Sequence, residues 1–145
     1  TAPGQLDYGL AGLAPVSSLE NIEEAVELLL ANREGRIVVV GDFDVDGATS
    51  SALMLRSLRE FGFASVDYLV PNRFEFGYGL TPEIVAVAAG SSPDLIVTVD
   101  NGISSAAGVR AARDAGISVL ITDHHRHPVV DLTHRAARGG NRREQ

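Results

Sequence analysis

The sequence predicts an α/β domain built on a mainly parallel sheet. Short runs rich in Val and Ile, RIVVVG (36–41), VDYLV (66–70), DLIVTV (94–99) and SVLIT (118–122), alternate with segments of helical periodicity. Strands separated in this way are joined by right-handed crossovers into a parallel sheet. Acids and histidines stand where three of the runs end: Asp42, Asp44 and Asp46 after the first, Asp100 after the third, and Asp123, His124 and His125 after the fourth. In an open parallel sheet, ligands bind in the crevice outside the carboxyl ends of the strands. The three clusters are therefore expected to converge, and aspartates converging with a histidine pair suggest a metal centre.

The elements follow in order. Residues 1–16 hold Pro and Gly without periodicity and read as an extended lead-in. Ser17-Ser18-Leu19-Glu20 has the pattern of a capping box, and Ile22, Ala25, Val26, Leu28, Leu29 and Leu30 recur at helical spacing up to Gly35. The β-branched run RIVVVG is a buried strand, and residues 48–61 return to helical periodicity before Gly62. After the second strand, PNRFEFGYG reads as a nine-residue loop, and Thr81-Pro82-Glu83 as a capped helix start with Pro in the first turn. The third strand ends in the turn sequence Asp100-Asn101-Gly102; Ser104 or Ser105 then caps a helix reaching about Ala115, ahead of Gly116. Ser118 to Thr122 forms the last strand. The domain spans 17–125.

Composition narrows the possibilities. The chain has 145 residues, a net charge of −7 and 45% apolar residues, enough for one core of ordinary size. An acidic chain is not a nucleic-acid platform of the usual basic kind, so any bound phosphate needs another source of positive charge. The chain has no cysteine, and so neither disulfides nor zinc-thiolate sites, which fits a cytoplasmic location. No apolar run is long enough to span a bilayer, so no membrane association is expected. All twelve basic residues are arginine.

Asp42, Asp44 and Asp46 lie on alternate residues leaving a strand, ahead of Gly47. Hard divalent cations take carboxylate oxygens, and alternate carboxylates can point into one cavity. Gly47 lets the backbone turn into the next helix, whose first amides suit an anionic phosphate. A single aspartate here could equally be a helix cap or a solvated loop acid. Three in so short a stretch repel one another and call for a cation. An EF-hand loop would need a bidentate Glu at its last position, where this chain has Leu53, and a helix rather than a strand before it. Asp42-Phe43-Asp44-Val45 also resembles the nucleophile motif of haloacid-dehalogenase phosphatases, but such sites add a lysine, and the chain has none. Neither a P-loop nor a GxGxxG fingerprint occurs. Adjacent histidines diverge from an extended or turning backbone and can take different tasks, such as ligand and proton carrier.

VGDFDVDGATS, DYLVPNRFEFGYGL, IVTVDNGISS and ITDHH, in this order and spacing, resemble the DHH phosphoesterase superfamily and, within it, the RecJ branch of single-strand-specific 5′ to 3′ DNA exonucleases. The resemblance covers about residues 18–125. It implies a three-layer, Rossmann-like DHH domain, here in part, with two ions of Mn²⁺ or Mg²⁺ and single-stranded DNA as the partner. Carried over, Asp42 and Asp44 would serve one ion, Asp46 and His124 the other, and Asp100 would bridge them, while His125 would contact the scissile phosphate. Asp123 would orient a histidine. Arg73 is a candidate phosphate clamp through its guanidinium fork, and Asn101, Ser104 and Ser105 are candidate substrate contacts. Two cations about 3.5–4 Å apart would activate a water and neutralise phosphoryl charge. The metals would then supply the positive charge that the composition lacks.

The pattern departs from the family after ITDHH. Relatives continue with a further metal-binding aspartate, a DHHA1 domain and an OB-fold, whereas residues 126–145 are irregular and arginine-rich, with Arg126, Arg135, Arg138, Arg142 and Arg143. A reading-frame shift in a GC-rich gene would give such a tail. With a ligand of the second ion missing, the chain alone is expected to be a weak or inactive nuclease, in the limit a non-catalytic remnant. Within the superfamily, short oligonucleotides, cyclic dinucleotides or pyrophosphate are the alternative substrates.

Overall fold

The computed structural model describes residues 15–102 and 105–123, without the side chain of Arg73. Its elements are a 3₁₀ turn at Val16–Ser18, α1 (Ile22–Ala31), β1 (Arg36–Gly41), α2 (Val45–Glu60), β2 (Ser65–Leu69), α3 (Arg73–Phe76), α4 (Pro82–Ala89), β3 (Leu95–Val99), α5 (Ala106–Asp114) and β4 (Ser118–Thr122). The four strands form one sheet in the order β2-β1-β3-β4, and every pairing is parallel. The sheet expected to be mainly parallel is thus parallel throughout the described residues.

Alternation along the strands builds two cores. Ile37 and Val39 of β1 share one face with Val66 of β2 and Leu95, Val97 and Val99 of β3, packed against Leu58 of α2 and Phe63, with Leu28 and Leu29 of α1 beside them. Val38, Val40 and Ile96 face the other way, against Leu80, Ile84, Val85 and Ala88 around α4 and Ala112 of α5. Covered on both sides, β1 and β3 read as continuous apolar runs, as strands of a doubly covered parallel sheet do. The layers are α1 and α2, then the sheet, then α4 and α5.

The start of α1 differs from expectation. The Ser18 hydroxyl donates to the Pro15 carbonyl at 2.7 Å, which closes the 3₁₀ turn, and α1 begins only at Ile22 after a left-handed Asn21 that makes no side-chain cap. Because α1 starts five residues after Ser17, the serine that would head the box, the capping box is not formed. The PNRFEFGYG segment is not wholly a loop, because the Glu75 and Phe76 amides both donate to the Asn72 carbonyl and close the short α3. At α4 the expected cap is present: Thr81 Oγ1 accepts from the Ile84 amide, and Pro82 occupies the first turn. Glu83 lies in the same turn, and hydrogen bonds from its own backbone and from Thr81 hold its carboxyl below the ordinary value.

The segment from α3 to α4 is tied to the start of α5. The Ser105 hydroxyl accepts from the Leu80 amide at 2.8 Å in a buried setting, and Leu80 itself is fully buried against the α4–α5 layer. Ser105 stands at the N-cap position of α5 but makes no side-chain cap there. Its oxygen serves the neighbouring loop instead of its own helix.

Leu95 is fully buried and Leu53 is 68% exposed. Chemical denaturation is expected to show a loss of about 2–5 kcal/mol for Leu95→Ala and little change for Leu53→Ala. Ser105→Ala strands the buried Leu80 amide and should cost about 1–3 kcal/mol in the same measurement.

Candidate metal centre

The register of the sheet lines up the strand exits. Gly41 pairs with Val99, and Val99 with Thr122, so Asp42, Asp100 and Asp123 each follow the last paired residue of three adjacent strands. Neighbouring strands lie about 4.8 Å apart, so the backbones of these three aspartates stand side by side at one edge of the sheet. The Asp100 amide donates to the Thr122 carbonyl at 3.0 Å, continuing the β3–β4 ladder one step beyond the strands. Asp100 is buried and takes a left-handed backbone, φ 59°.

The first cluster is arranged differently from the alternating pattern of its sequence. Asp44 is the N-cap of α2: its backbone is extended, and its Oδ1 accepts from the Gly47 amide at 2.9 Å. The helix therefore starts at Val45, three residues ahead of the expected start, and Asp46 lies within its first turn. Helical backbone does not keep the two-residue alternation of a strand, so Asp42, Asp44 and Asp46 do not share one side of the chain. Asp42 Oδ1 accepts from the Phe43 amide at 2.8 Å. Gly47 is needed for close approach rather than for a sharp turn: a Cβ there would stand 2.4 Å from the Asp42 carbonyl oxygen. The missing side chain lets the first turn of α2 press against the exit of β1.

Asn101 turns inward. It is 2% exposed, and its Nδ2 donates to the Val99 carbonyl at 2.9 Å and to the Val40 carbonyl at 3.1 Å. Asn101 and Ser105, both expected at the substrate, are thus bonded to backbone groups of the domain. His124, His125 and Ser104 lie outside the described residues, as does the side chain of Arg73; so do most of the lead-in and the tail.

Among the described residues no three carboxylate or imidazole groups gather closely enough to hold a metal ion. The chemistry of the donor set nevertheless fits a hard divalent cation: oxygen ligands only, four aspartates at or next to two adjacent strand exits, and Asp100 buried at one of them. The capping bond of Asp44 uses one of its two carboxylate oxygens, which leaves the donor set intact. Sequence reasoning missed the Thr98 hydroxyl, fully buried and donating to the Asn101 carbonyl at 2.7 Å, and the Thr122 hydroxyl, donating to the Thr98 carbonyl at 2.7 Å. A polar residue inside an otherwise apolar strand was the available signal.

Among the described residues no helix is long and apolar enough to cross a membrane. Comparison with known proteins agrees with the geometry. The single-stranded-DNA-specific exonuclease RecJ of Escherichia coli is 57% identical over 123 residues, which is 83% of this chain but 21% of that protein. A crystal structure of exonuclease RecJ bound to manganese superposes with a TM-score of 0.71 at 36% identity, covering 81% of this chain and 31% of that one. RecJ of Thermus thermophilus in complex with Mn²⁺ gives a TM-score of 0.63 at 34% identity, over 75% of this chain and 15% of its own. The chain spans about a fifth of the length of the E. coli relative. The model of the DHH family, N-terminal domain, matches residues 36–138, past the residue 125 at which the motif resemblance ends, and the chain belongs to that family.

Proposed function

We propose that this chain carries the metal-binding edge of a phosphodiesterase that removes nucleotides from the 5′ end of single-stranded DNA. One observation carries the reading: Asp42, Asp100 and Asp123 stand in register beyond three adjacent parallel strands. The likeness to relatives named as single-stranded-DNA-specific exonucleases and solved with manganese supports it. Because the chain covers 21% of the E. coli relative, the activity is proposed for the protein in which this domain works.

In this reading Asp42 and Asp44 hold one divalent cation, Asp46 and His124 a second, and Asp100 reaches both from the central exit. Two such cations, Mn²⁺ or Mg²⁺, would lower the pKa of a shared water and offset charge on the phosphoryl oxygens. His125 contacts the scissile phosphate, and Asp123 orients a histidine by accepting from its ring nitrogen. Arg73, the first residue of α3, clamps a phosphate with its guanidinium. Ser104 contacts the same phosphate backbone in this reading. The acidic composition does not oppose a DNA substrate, since the cations provide the local positive charge. With no cysteine to protect, a reducing cytoplasm suits the chain.

A hybrid in which this chain replaces the matching segment of the E. coli relative tests the reading. With Mn²⁺ it is expected to release mononucleotides from 5′-phosphorylated single-stranded DNA, and Asp100→Ala to reduce the rate at least about 100-fold with an unchanged circular dichroism spectrum. Retention of a tenth of the rate would rule out the bridging role of Asp100. Cleavage of short oligonucleotides, cyclic dinucleotides or pyrophosphate in place of DNA would shift the assignment to those substrates. Calorimetric titration of the chain alone with Mn²⁺ separates a near-complete centre, with two tight sites, from a remnant with one weak site or none.

A further inference from the structure

The turn that carries Asp100 is held by more hydrogen bonds than the termination of a strand requires. The Thr98 hydroxyl donates forward to the Asn101 carbonyl at 2.7 Å, and the Thr122 hydroxyl donates across to the Thr98 carbonyl at 2.7 Å. The Asn101 side-chain amide reaches back to the Val99 carbonyl and sideways to the Val40 carbonyl of β1. The Asp100 amide is fixed to β4 through Thr122. Asp100 therefore sits at the middle of a belt joining the exits of β1, β3 and β4, and every contact of that belt is made by a neighbour of Asp100 or by its backbone.

The belt holds a left-handed conformation that is uncommon outside glycine, although aspartate tolerates it better than most residues. Asp100 has φ 59°, a left-handed backbone in which a Cβ crowds the following carbonyl. Non-glycine residues in this region persist where the surroundings over-determine them, and they cluster at functional sites. Gly102 completes the turn at φ 114°, where a Cβ would stand 2.6 Å from Thr98 Oγ1 and 3.2 Å from Ile121 Cγ2. The orientation of the Asn101 amide is set by its partners: two carbonyls require the nitrogen, since a flipped amide would bring three oxygens together. Its Oδ1 is buried and has no hydrogen-bond partner among the described residues.

We infer that Asn101 and Thr98 are positioning residues that aim the Asp100 carboxylate along the row of strand exits, so that the metal affinity of the centre depends on two side chains that need not touch the metal. The inference rests on the reading of Asp100 as a metal ligand. Outer partners of metal ligands typically change affinity about 10- to 100-fold. Asn101→Ala removes the tie to β1 and β3. Thr98→Val keeps the shape of the buried side chain and removes only the donor to the Asn101 carbonyl, while Thr98→Ser keeps the donor and removes a methyl group.

The test follows Mn²⁺ binding to the ¹⁵N-labelled chain through paramagnetic broadening of the amides of residues 42–47 and 98–102, with hydrogen exchange measured on the same samples. Wild type and Thr98→Ser should share one half-saturating Mn²⁺ concentration. Thr98→Val and Asn101→Ala should need about ten-fold more and lose protection at the Asp100 amide, while the Leu95 and Val97 amides keep theirs. Unchanged half-saturation despite a released Asp100 amide overturns the inference, as does a Thr98→Ser variant as impaired as Thr98→Val. Loss of protection throughout β3 also counts against it, because the belt would then serve the fold. Asp100→Asn separates the two levels: weakened binding there with normal binding in Thr98→Val and Asn101→Ala removes only the positioning role. No effect of Asp100→Asn, or no saturable binding in the wild type, removes the ligand reading and the inference with it.

Discussion

Everything at the candidate centre depends on the in-register pairing of β1, β3 and β4. Parallel strands have side chains of period two, so a slip of one residue would exchange the two faces of a strand and push its apolar set into the wrong layer. Here Ile37 and Val39 must meet α1 and α2, while Val38 and Val40 must meet α4 and α5. A one-residue slip satisfies neither core. The same constraint delivers Gly41, Val99 and Thr122 to one row, and with them the three aspartates that follow.

Hydrogen bonds lock the register at both edges of the sheet. At the amino edge, Asp94 takes the Arg36 amide on its carboxylate at 2.8 Å, gives its own amide to the Arg36 carbonyl, and accepts from the Ser118 amide, so one residue joins the starts of β1, β3 and β4. At the carboxyl edge, Asn101, Thr98 and Thr122 join the ends of the same strands. The two belts differ in what they hold: the first surrounds exposed chain, the second a buried aspartate in a left-handed conformation. The outer edge of β2 is handled in another way, with the Arg59 guanidinium on the Val66 carbonyl at 2.9 Å and Asp67 exposed beside it, both means by which edge strands avoid further pairing.

The elements whose boundaries were legible in the sequence are those set by local chemistry. RIVVVG and SVLIT occupy β1 and β4 as read, and Thr81 with Pro82 begins α4 as a cap and first-turn proline should. The misread boundaries are those where one side chain had two possible partners. Ser17 and Ser18 could lie at the head of α1 or in a turn before it, and they lie in the 3₁₀ turn. Asp44 could be held out as a ligand or fold back onto Gly47, and one of its oxygens folds back, which draws the start of α2 forward and takes Asp46 into the helix. Such competitions are settled by small energy differences that depend on the rest of the fold.

Residue order was enough to establish the family, the alternation of strands and helices, and the carboxylate-rich ends of the strands, because periodicity and residue chemistry are local properties of a chain. Asp100 by itself reads as part of an ordinary Asp-Asn-Gly turn, and only its place at a strand end and the family motif made it a candidate ligand. Which residues stand beside that acid was fixed by packing. Thr98 reads as one more β-branched strand residue, Asn101 as a turn former and Ser105 as a helix cap; Thr98 is bonded instead to the carbonyl three residues on, and Asn101 and Ser105 to backbone groups of Val40 and Leu80 distant in sequence. Val40 and Asn101 are far apart in the chain and adjacent in space, and long-range contacts of that kind leave no local pattern to read.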